Sequence, residues 1–212
     1  DQIWGGAGAD VLTGRAGNDS IAAGDGQDQI DGGDGQDFLM AGGGNDTVFG
    51  AAGNDVINGE GQDDMIYAGS GNDDGTGGAG HDQIFGGEGN DTLSGDTGND
   101  ALDGGMGNDL IAGGAGADEL FGGAGDDTIW GQSAGAQDTD TDFLNGGDGN
   151  DLLTLGQGDT GNGGDGADTF AVTDFGAKAQ IIDFDPTQDQ LVIQYDPQQI
   201  PDPVVTIQSN DA

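Results

Sequence analysis

From Gly5 to Trp130 the chain repeats one nine-residue pattern of apolar and polar positions fourteen times without insertion or deletion. A typical unit reads Gly32-Gly33-Asp34-Gly35-Gln36-Asp37-Phe38-Leu39-Met40. Counted from its first glycine, the eighth position is Leu, Ile or Val in every unit but one. These residues are Leu12, Ile21, Ile30, Leu39, Val48, Ile57, Ile66, Ile84, Leu93, Leu102, Ile111, Leu120 and Ile129, and Gly75 is the exception. The residues around position eight predict a short strand with only the central side chain facing inward. The Gly-Gly-x-Gly stretch predicts a turn, because repeated glycines supply left-handed backbone without steric cost. With one turn and one strand per unit, two units close a coil of eighteen residues. Stacked coils then make an all-β fold, a parallel β-roll (a two-sheet, right-handed β-solenoid) whose thin core is the position-eight row.

Eighteen-residue coils also place residues on outer faces. Position nine on one face reads Thr13, Asp31, Phe49, Tyr67, Phe85, Asp103 and Phe121; the other face carries Trp4, Ala22, Met40, Asn58, Thr76, Ser94, Ala112 and Trp130. Phe49, Tyr67 and Phe85 are therefore expected to stack as a ladder at strand spacing. Two units break the consensus inside the array. Glu60-Gly61-Gln62-Asp63-Asp64 lacks the position-four glycine, and Gly75 leaves the core row without a side chain.

After Trp130 the phase slips. Residues 131–136 read as a six-residue loop insertion, with Gln137 restarting the frame so that Asp142 and Leu144 fall in register. Asp138, Asp140 and Asp142 alternate there, a pattern open to either a solvated loop or an extra cation site. The unit 146–154 is regular. The unit 155–162 is one residue short and puts Thr160 where Asp belongs, and 163–171 recovers with Asp168 and Phe170. The roll is thus expected over 1–171 and a C-terminal capping segment over 172–212. In the cap, Ile181–Phe184 and Leu191–Tyr195 read as strands around the turn Asp185–Asp189, and Val204–Ile207 as strand-like. The chain reads as a fragment that continues further.

Composition changes the picture at one point. Two basic against 41 acidic side chains give a formal charge of −39, with 49 Gly and 32% apolar residues. Such a chain repels itself, and composition alone would class it as disordered. One aliphatic side chain per nine residues does not offset the ordering of a glycine-rich backbone. The periodicity makes structural sense only if something neutralises the carboxylates. Nucleic acid and anionic membrane are poor partners for this charge. No apolar run is long enough to span a membrane, and zero cysteines exclude a disulfide framework.

The sixth position is Asp in all fourteen regular units: Asp10, Asp19, Asp28, Asp37, Asp46, Asp55, Asp64, Asp73, Asp82, Asp91, Asp100, Asp109, Asp118 and Asp127. Asp142, Asp151 and Asp168 extend the series. Carboxylate and backbone carbonyl oxygens, without cysteine and with one histidine, suit a hard cation. A carbonyl-rich turn favours Ca²⁺ over the smaller, tightly hydrated Mg²⁺.

The repeat G-G-x-G-x-D-x-U-x resembles the RTX (repeats-in-toxin, haemolysin-type) calcium-binding family. Asp183-Phe184-Asp185-Pro186 resembles the segment that often follows the last RTX repeat in secreted proteases and epimerases. The resemblance implies that each ion lies between turns eighteen residues apart, so that Asp10 pairs with Asp28, Asp19 with Asp37, and onward. It implies further ligation by backbone carbonyls. At position one these are Gly5, Gly14, Gly32, Gly50, Gly77, Gly86, Gly95, Gly104, Gly113, Gly122 and Gly146. At position two they are Gly6, Gly24, Gly33, Gly42, Gly69, Gly78, Gly87, Gly105, Gly114, Gly123 and Gly147. At position four they are Gly8, Gly17, Gly26, Gly35, Gly44, Gly53, Gly71, Gly80, Gly89, Gly98, Gly107, Gly116, Gly125 and Gly149. About 12 to 16 ions are expected on this scheme.

The function the resemblance implies is a calcium-binding module of a secreted bacterial protein. It would be disordered without calcium, fold outside the cell, and assist type I secretion and the folding of an attached domain. The alternative is an extended adhesin or ice-binding roll. Asn recurs at position five (Asn18, Asn54, Asn72, Asn90, Asn108), but position three offers Thr only at Thr97 within the regular array, which argues against ice. Enzyme chemistry is not expected of this segment: His81 falls on a turn without a nucleophile, a flat roll offers no pocket, and Arg15 and Lys178 suggest no phosphate site.

Overall fold

The computed structural model describes residues 1–132, 140–172 and 179–193. The described residues contain twenty-one strands and no helix, from Gln2–Ala7 (β1) and Val11–Ala16 (β2) to Gln180–Ile181 (β20) and Gln190–Ile193 (β21). Odd-numbered strands form one eleven-stranded sheet in chain order and even-numbered strands a second sheet of ten. Every pairing is parallel. In the regular array the partners are eighteen residues apart, as in Ile3↔Ile21 and Leu12↔Ile30. This is the β-roll that the nine-residue period predicts.

The core is the position-eight row. Ile21, Ile30, Leu39, Val48, Ile57, Ile66, Ile84, Leu93, Leu102, Ile111, Leu120 and Ile129 are all at most 1% exposed, while Ile3 and Leu12 on the outermost strands are only partly covered. Gly75 leaves no gap: a methyl group there would meet Leu93 Cδ2 at 3.2 Å and Ile84 Cγ2 at 3.5 Å, so neighbouring side chains have filled the space. Gly161, a second glycine in this row, is covered by Leu155 and Phe170 in the same way. Leu155 stands at position one, where most units have glycine, and its added bulk replaces the missing one.

The strands are longer than three residues. They run through positions seven to three of the next unit, as in Phe38–Gly43, so the first two glycines belong to the sheet and not to the turn. The correction has a steric cause. Position one faces inward in an ordinary extended conformation, and a methyl at Gly50 would sit 2.6 Å from Asp55 Oδ2 and against the Ala68 carbonyl. Glycine there serves close approach rather than turning, and Ala23, Ala41 and Ala68 fill the same inward position in three units. Left-handed backbone is confined to positions two and four, where Arg15, Ala51, Glu60, Asp96 and Gln62 also adopt it, with φ between 71° and 86°. Gln62 (φ 77°) thus preserves its turn at the cost of a strained non-glycine.

The insertion also lies elsewhere than the spacing suggests. Gly131 and Gln132 still belong to the strand Thr128–Gln132, with Gln132 paired to Gly114. The extra residues therefore fall between Gln132 and Asp142. Asp138 and most of that loop lie outside the described residues. In the cap, Gln180–Ile181 and Gln190–Ile193 each continue one sheet, but residues 182–184 are bends and coil where a strand was expected. Tyr195 and 204–207 lie outside the described residues.

Candidate metal sites

Each position-six Asp closes its turn against the next coil. Its Oδ1 accepts the backbone N–H of the Asp one coil earlier: Asp10 N donates to Asp28 Oδ1 at 2.8 Å, Asp28 N to Asp46 Oδ1 at 2.7 Å, and Asp46 N to Asp64 Oδ1 at 2.8 Å. The result is two unbroken rows, one along each edge of the roll. One runs from Asp10 through Asp28, Asp46, Asp64, Asp82, Asp100 and Asp118 to Asp142 and Asp159. The other runs from Asp19 through Asp37, Asp55, Asp73, Asp91, Asp109 and Asp127 to Asp151, Asp168 and Asp189. Asp118 and Asp142 are partners across 24 residues, as are Asp127 and Asp151, so the insertion leaves both rows intact.

The pairing that the repeat predicts is therefore realised, with two additions. Thr160 is not the counterpart of the Asp row; Asp159 is, buried at 2% exposure, with Asp142 N donating to its Oδ1 at 3.1 Å. The residue missing from that unit lies before the Asp. Counting back from Gly163 finds the right frame, whereas counting forward from Leu155 misses it. Asp189, ahead of Leu191, plays the same part in the cap: Asp168 N donates to its Oδ1 at 3.1 Å.

The second carboxylate oxygen distinguishes the array. Oδ2 of Asp10, Asp19, Asp28, Asp37, Asp46, Asp55, Asp64, Asp73, Asp82, Asp91, Asp100, Asp109, Asp127 and Asp151 is buried and receives no hydrogen bond. Isolated anionic oxygens away from water are costly, and a native structure repeats one only where something else satisfies it. Burial pushes six of these carboxyls well upward: Asp64 to about 8, Asp127 to about 7, and Asp73, Asp82, Asp109 and Asp151 to about 6. Neighbouring carboxylates of the same row add to the rise, and the backbone N–H at Oδ1 opposes it.

What surrounds Oδ2 is oxygen. Beside Gly5, Asp10 Oδ2 and the Ala23 carbonyl oxygen each lie 2.6 Å from the point a Cβ would occupy; beside Gly86, Asp91 Oδ2 and the Gly104 carbonyl lie at 2.5 Å. The position-four carbonyl of one coil faces the next coil's position-four glycine, and at Gly26, Gly44, Gly98 and Gly166 it does so next to Oδ1 of that coil's Asp. Position-one and position-four carbonyls thus approach the carboxylates. Position-two carbonyls, such as Gly6 O, face the next coil's position-two glycine with no carboxylate among the nearest atoms. Among the described residues no three metal-ligating side chains converge. A cation here would take carboxylates from neighbouring turns and complete its shell with backbone oxygens, a set that fits Ca²⁺.

A second ladder runs alongside with opposite polarity. Asn54 Oδ1 accepts the Asn72 N–H, Asn72 Oδ1 the Asn90 N–H, and Asn90 Oδ1 the Asn108 N–H, at 2.9–3.0 Å. On the other edge Asp63 Oδ1 accepts His81 N–H and His81 Nδ1 accepts Asn99 N–H at 2.8 Å. His81 is exposed, as its turn position predicts, yet it is also a rung of this ladder. These hydrogen bonds explain the recurrence of Asn at position five without invoking an external surface.

A family model described as the RTX calcium-binding nonapeptide repeat matches residues 4–39, 40–74, 76–111, 103–133 and 138–170. No curated protein matches the chain.

Proposed function

Since this chain belongs to the family of RTX calcium-binding nonapeptide repeats, we propose that Ca²⁺ occupies both carboxylate rows and that its binding folds the roll. The observation that carries this reading is the repeated, buried and unpartnered Asp Oδ2. In each site two aspartates from successive turns would supply carboxylate oxygens, and position-one and position-four backbone, as at Gly8, Gly26, Gly86 and Gly104, would supply carbonyls. Bound calcium would provide the positive charge that the side chains lack. The first row offers seven intervals from Asp10 to Asp142 and the second eight from Asp19 to Asp168. Fifteen dications would offset 30 of the formal 39 negative charges.

The role follows from the coupling. A chain that cannot bury its carboxylates without calcium stays open where calcium is scarce and closes where it is plentiful. That suits a module exported unfolded by type I secretion, folding outside the cell and templating an attached domain. The segment itself binds rather than catalyses. The test is a calcium titration of chelated protein followed by circular dichroism. A cooperative rise in β signal with a midpoint of order 10⁻⁴–10⁻³ M supports the proposal; a full β signal in excess chelator overturns it.

A further inference from the structure

One outer face carries a row unlike the rest of the surface. In direct register across neighbouring strands lie Asp31, Phe49, Tyr67, Phe85, Asp103 and Phe121. The rings of Phe49 and Tyr67 are 5.2 Å apart and 5° from parallel; those of Tyr67 and Phe85 are 5.0 Å apart and 9° from parallel. Tyr67 and Phe121 remain 36% exposed. The strip is therefore a three-ring apolar ridge, Phe49 to Phe85, bounded by the carboxylates of Asp31 and Asp103. Asp103 stands in register between Phe85 and Phe121.

The counter-charge has to come from outside, because Arg15 and Lys178 are the chain's whole stock of basic side chains. A second copy would bring carboxylates against carboxylates. Nucleic acid and anionic lipid are repelled by the net charge. Sugars would stack on ring faces, and here those faces are turned toward each other. Lone carboxylates on an open face also lack the carbonyl oxygens that complete a calcium shell.

We propose that this strip docks an extended polypeptide segment whose basic side chains flank apolar ones. Asp31 and Asp103 are four strand steps apart, about 19 Å at ~4.8 Å per step. An extended chain rising ~3.3 Å per residue covers that distance in about six residues. Six is even, so two basic side chains at that separation point the same way. The apolar side chains at the two positions between them face the ring ladder.

The experiment uses the calcium-loaded chain, with circular dichroism confirming the fold of each sample. Binding of a fluorescent peptide Lys-Thr-Val-Thr-Val-Thr-Lys is read by anisotropy in ~0.15 M salt, where distant charges are screened. The control peptide Thr-Val-Lys-Lys-Val-Thr-Thr has the same composition with its lysines adjacent. The matched peptide is expected to bind about tenfold more tightly than the control. Asp103→Asn should weaken it about tenfold and Tyr67→Ser about fivefold. Asp74→Asn, which removes an equal charge from the other sheet, should leave it unchanged. Equal binding of both peptides, equal weakening by Asp103→Asn and Asp74→Asn, or no binding to folded protein would each overturn the proposal. Failure to fold with calcium would count against the calcium reading instead.

Discussion

Asp46 and Asp183 carry the same carboxylate in two regions of one roll, and only one of them is satisfied by protein. Asp46 gives Oδ1 to the Asp28 N–H and leaves Oδ2 buried and bare. Asp183 gives Oδ1 to Gly163 N–H at 2.9 Å and Oδ2 to Gly164 N–H at 2.7 Å. Asp189 is likewise held through both oxygens, by the amides of Asp168 and Asp185, and Asp159 by those of Asp142 and Gly156. The repeat array therefore leaves one carboxylate oxygen buried without a hydrogen bond at nearly every turn. The C-terminal end closes its turns with its own donors and takes up the amide groups a further strand would have used. On the proposed function, cation dependence belongs to the regular array, and the C-terminal turns of Asp159, Asp183 and Asp189 are satisfied by the chain's own amides.

The largest effect that separates the two regions is removal of calcium. At pH 7 chelator should abolish most of the β signal of the array. Acidification should then partly replace the metal. Asp64, Asp73, Asp82, Asp109, Asp127 and Asp151 have folded-state pKa values above the unfolded one, so the metal-free roll binds more protons than the open chain. Its stability is fully present below about pH 4 and is lost as the pH rises toward 6–8 through the raised values of Asp73, Asp127 and Asp64. Chelated protein monitored between pH 8 and pH 4 should gain β signal on the acid side; a loss there would contradict the assignment.

Next in size is a reversal of sign. Asp46→Asn keeps an acceptor for the Asp28 amide and removes the buried charge. It should raise the stability of chelated protein and lower that of calcium-loaded protein, with one or two fewer ions bound by equilibrium dialysis. Asp183→Ala leaves two amides without acceptors and should cost about 1–3 kcal/mol per unsatisfied group whether or not calcium is present. Thermal melts of both variants with calcium, and their residual β signal in chelator, decide the matter. A loss of the same size for Asp46→Asn with and without calcium would erase the distinction between array and cap.

How much of this was legible in the sequence depends on whether a feature repeats. The edge pairing of Asp10 with Asp28 was what the family resemblance implied; the coil of eighteen and the core row follow from spacing, because parallel in-register stacking turns a sequence period directly into a spatial neighbour. The Phe49–Tyr67–Phe85 ladder followed by the same logic. Asp159 did not, since a one-residue deletion can lie on either side of the Asp and forward counting chose Thr160. The limits of the strands were misjudged because glycine at position one serves close approach to a carboxylate, a tertiary demand with no local signature. The doubly held Asp183 and Asp189 lie where the period has stopped, and nothing in their spacing announces the amides they meet.

Smaller effects test the packing on either side of the boundary. At Gly161 a methyl would meet Leu155 at 3.0 and 3.1 Å, whereas at Gly75 its nearest neighbour is at 3.2 Å. Gly161→Ala should therefore destabilise the calcium-loaded roll by about 1–2 kcal/mol through overpacking, and Gly75→Ala by less. The smallest change is expected from Tyr67→Ser. It removes two stacked contacts and should lower stability by about 0.2–1 kcal/mol per ring pair, with calcium stoichiometry unchanged.

The most direct measurement is anomalous diffraction from crystals of the calcium-loaded chain. The account predicts two rows of calcium peaks, one along each edge, spaced by about 4.8 Å, each within ligand distance, about 2.3–2.6 Å, of an array Asp Oδ2. No peak is expected between the Asp183 carboxylate and the Gly163 and Gly164 amides. Well-ordered array carboxylates without anomalous density beside Oδ2 would contradict it.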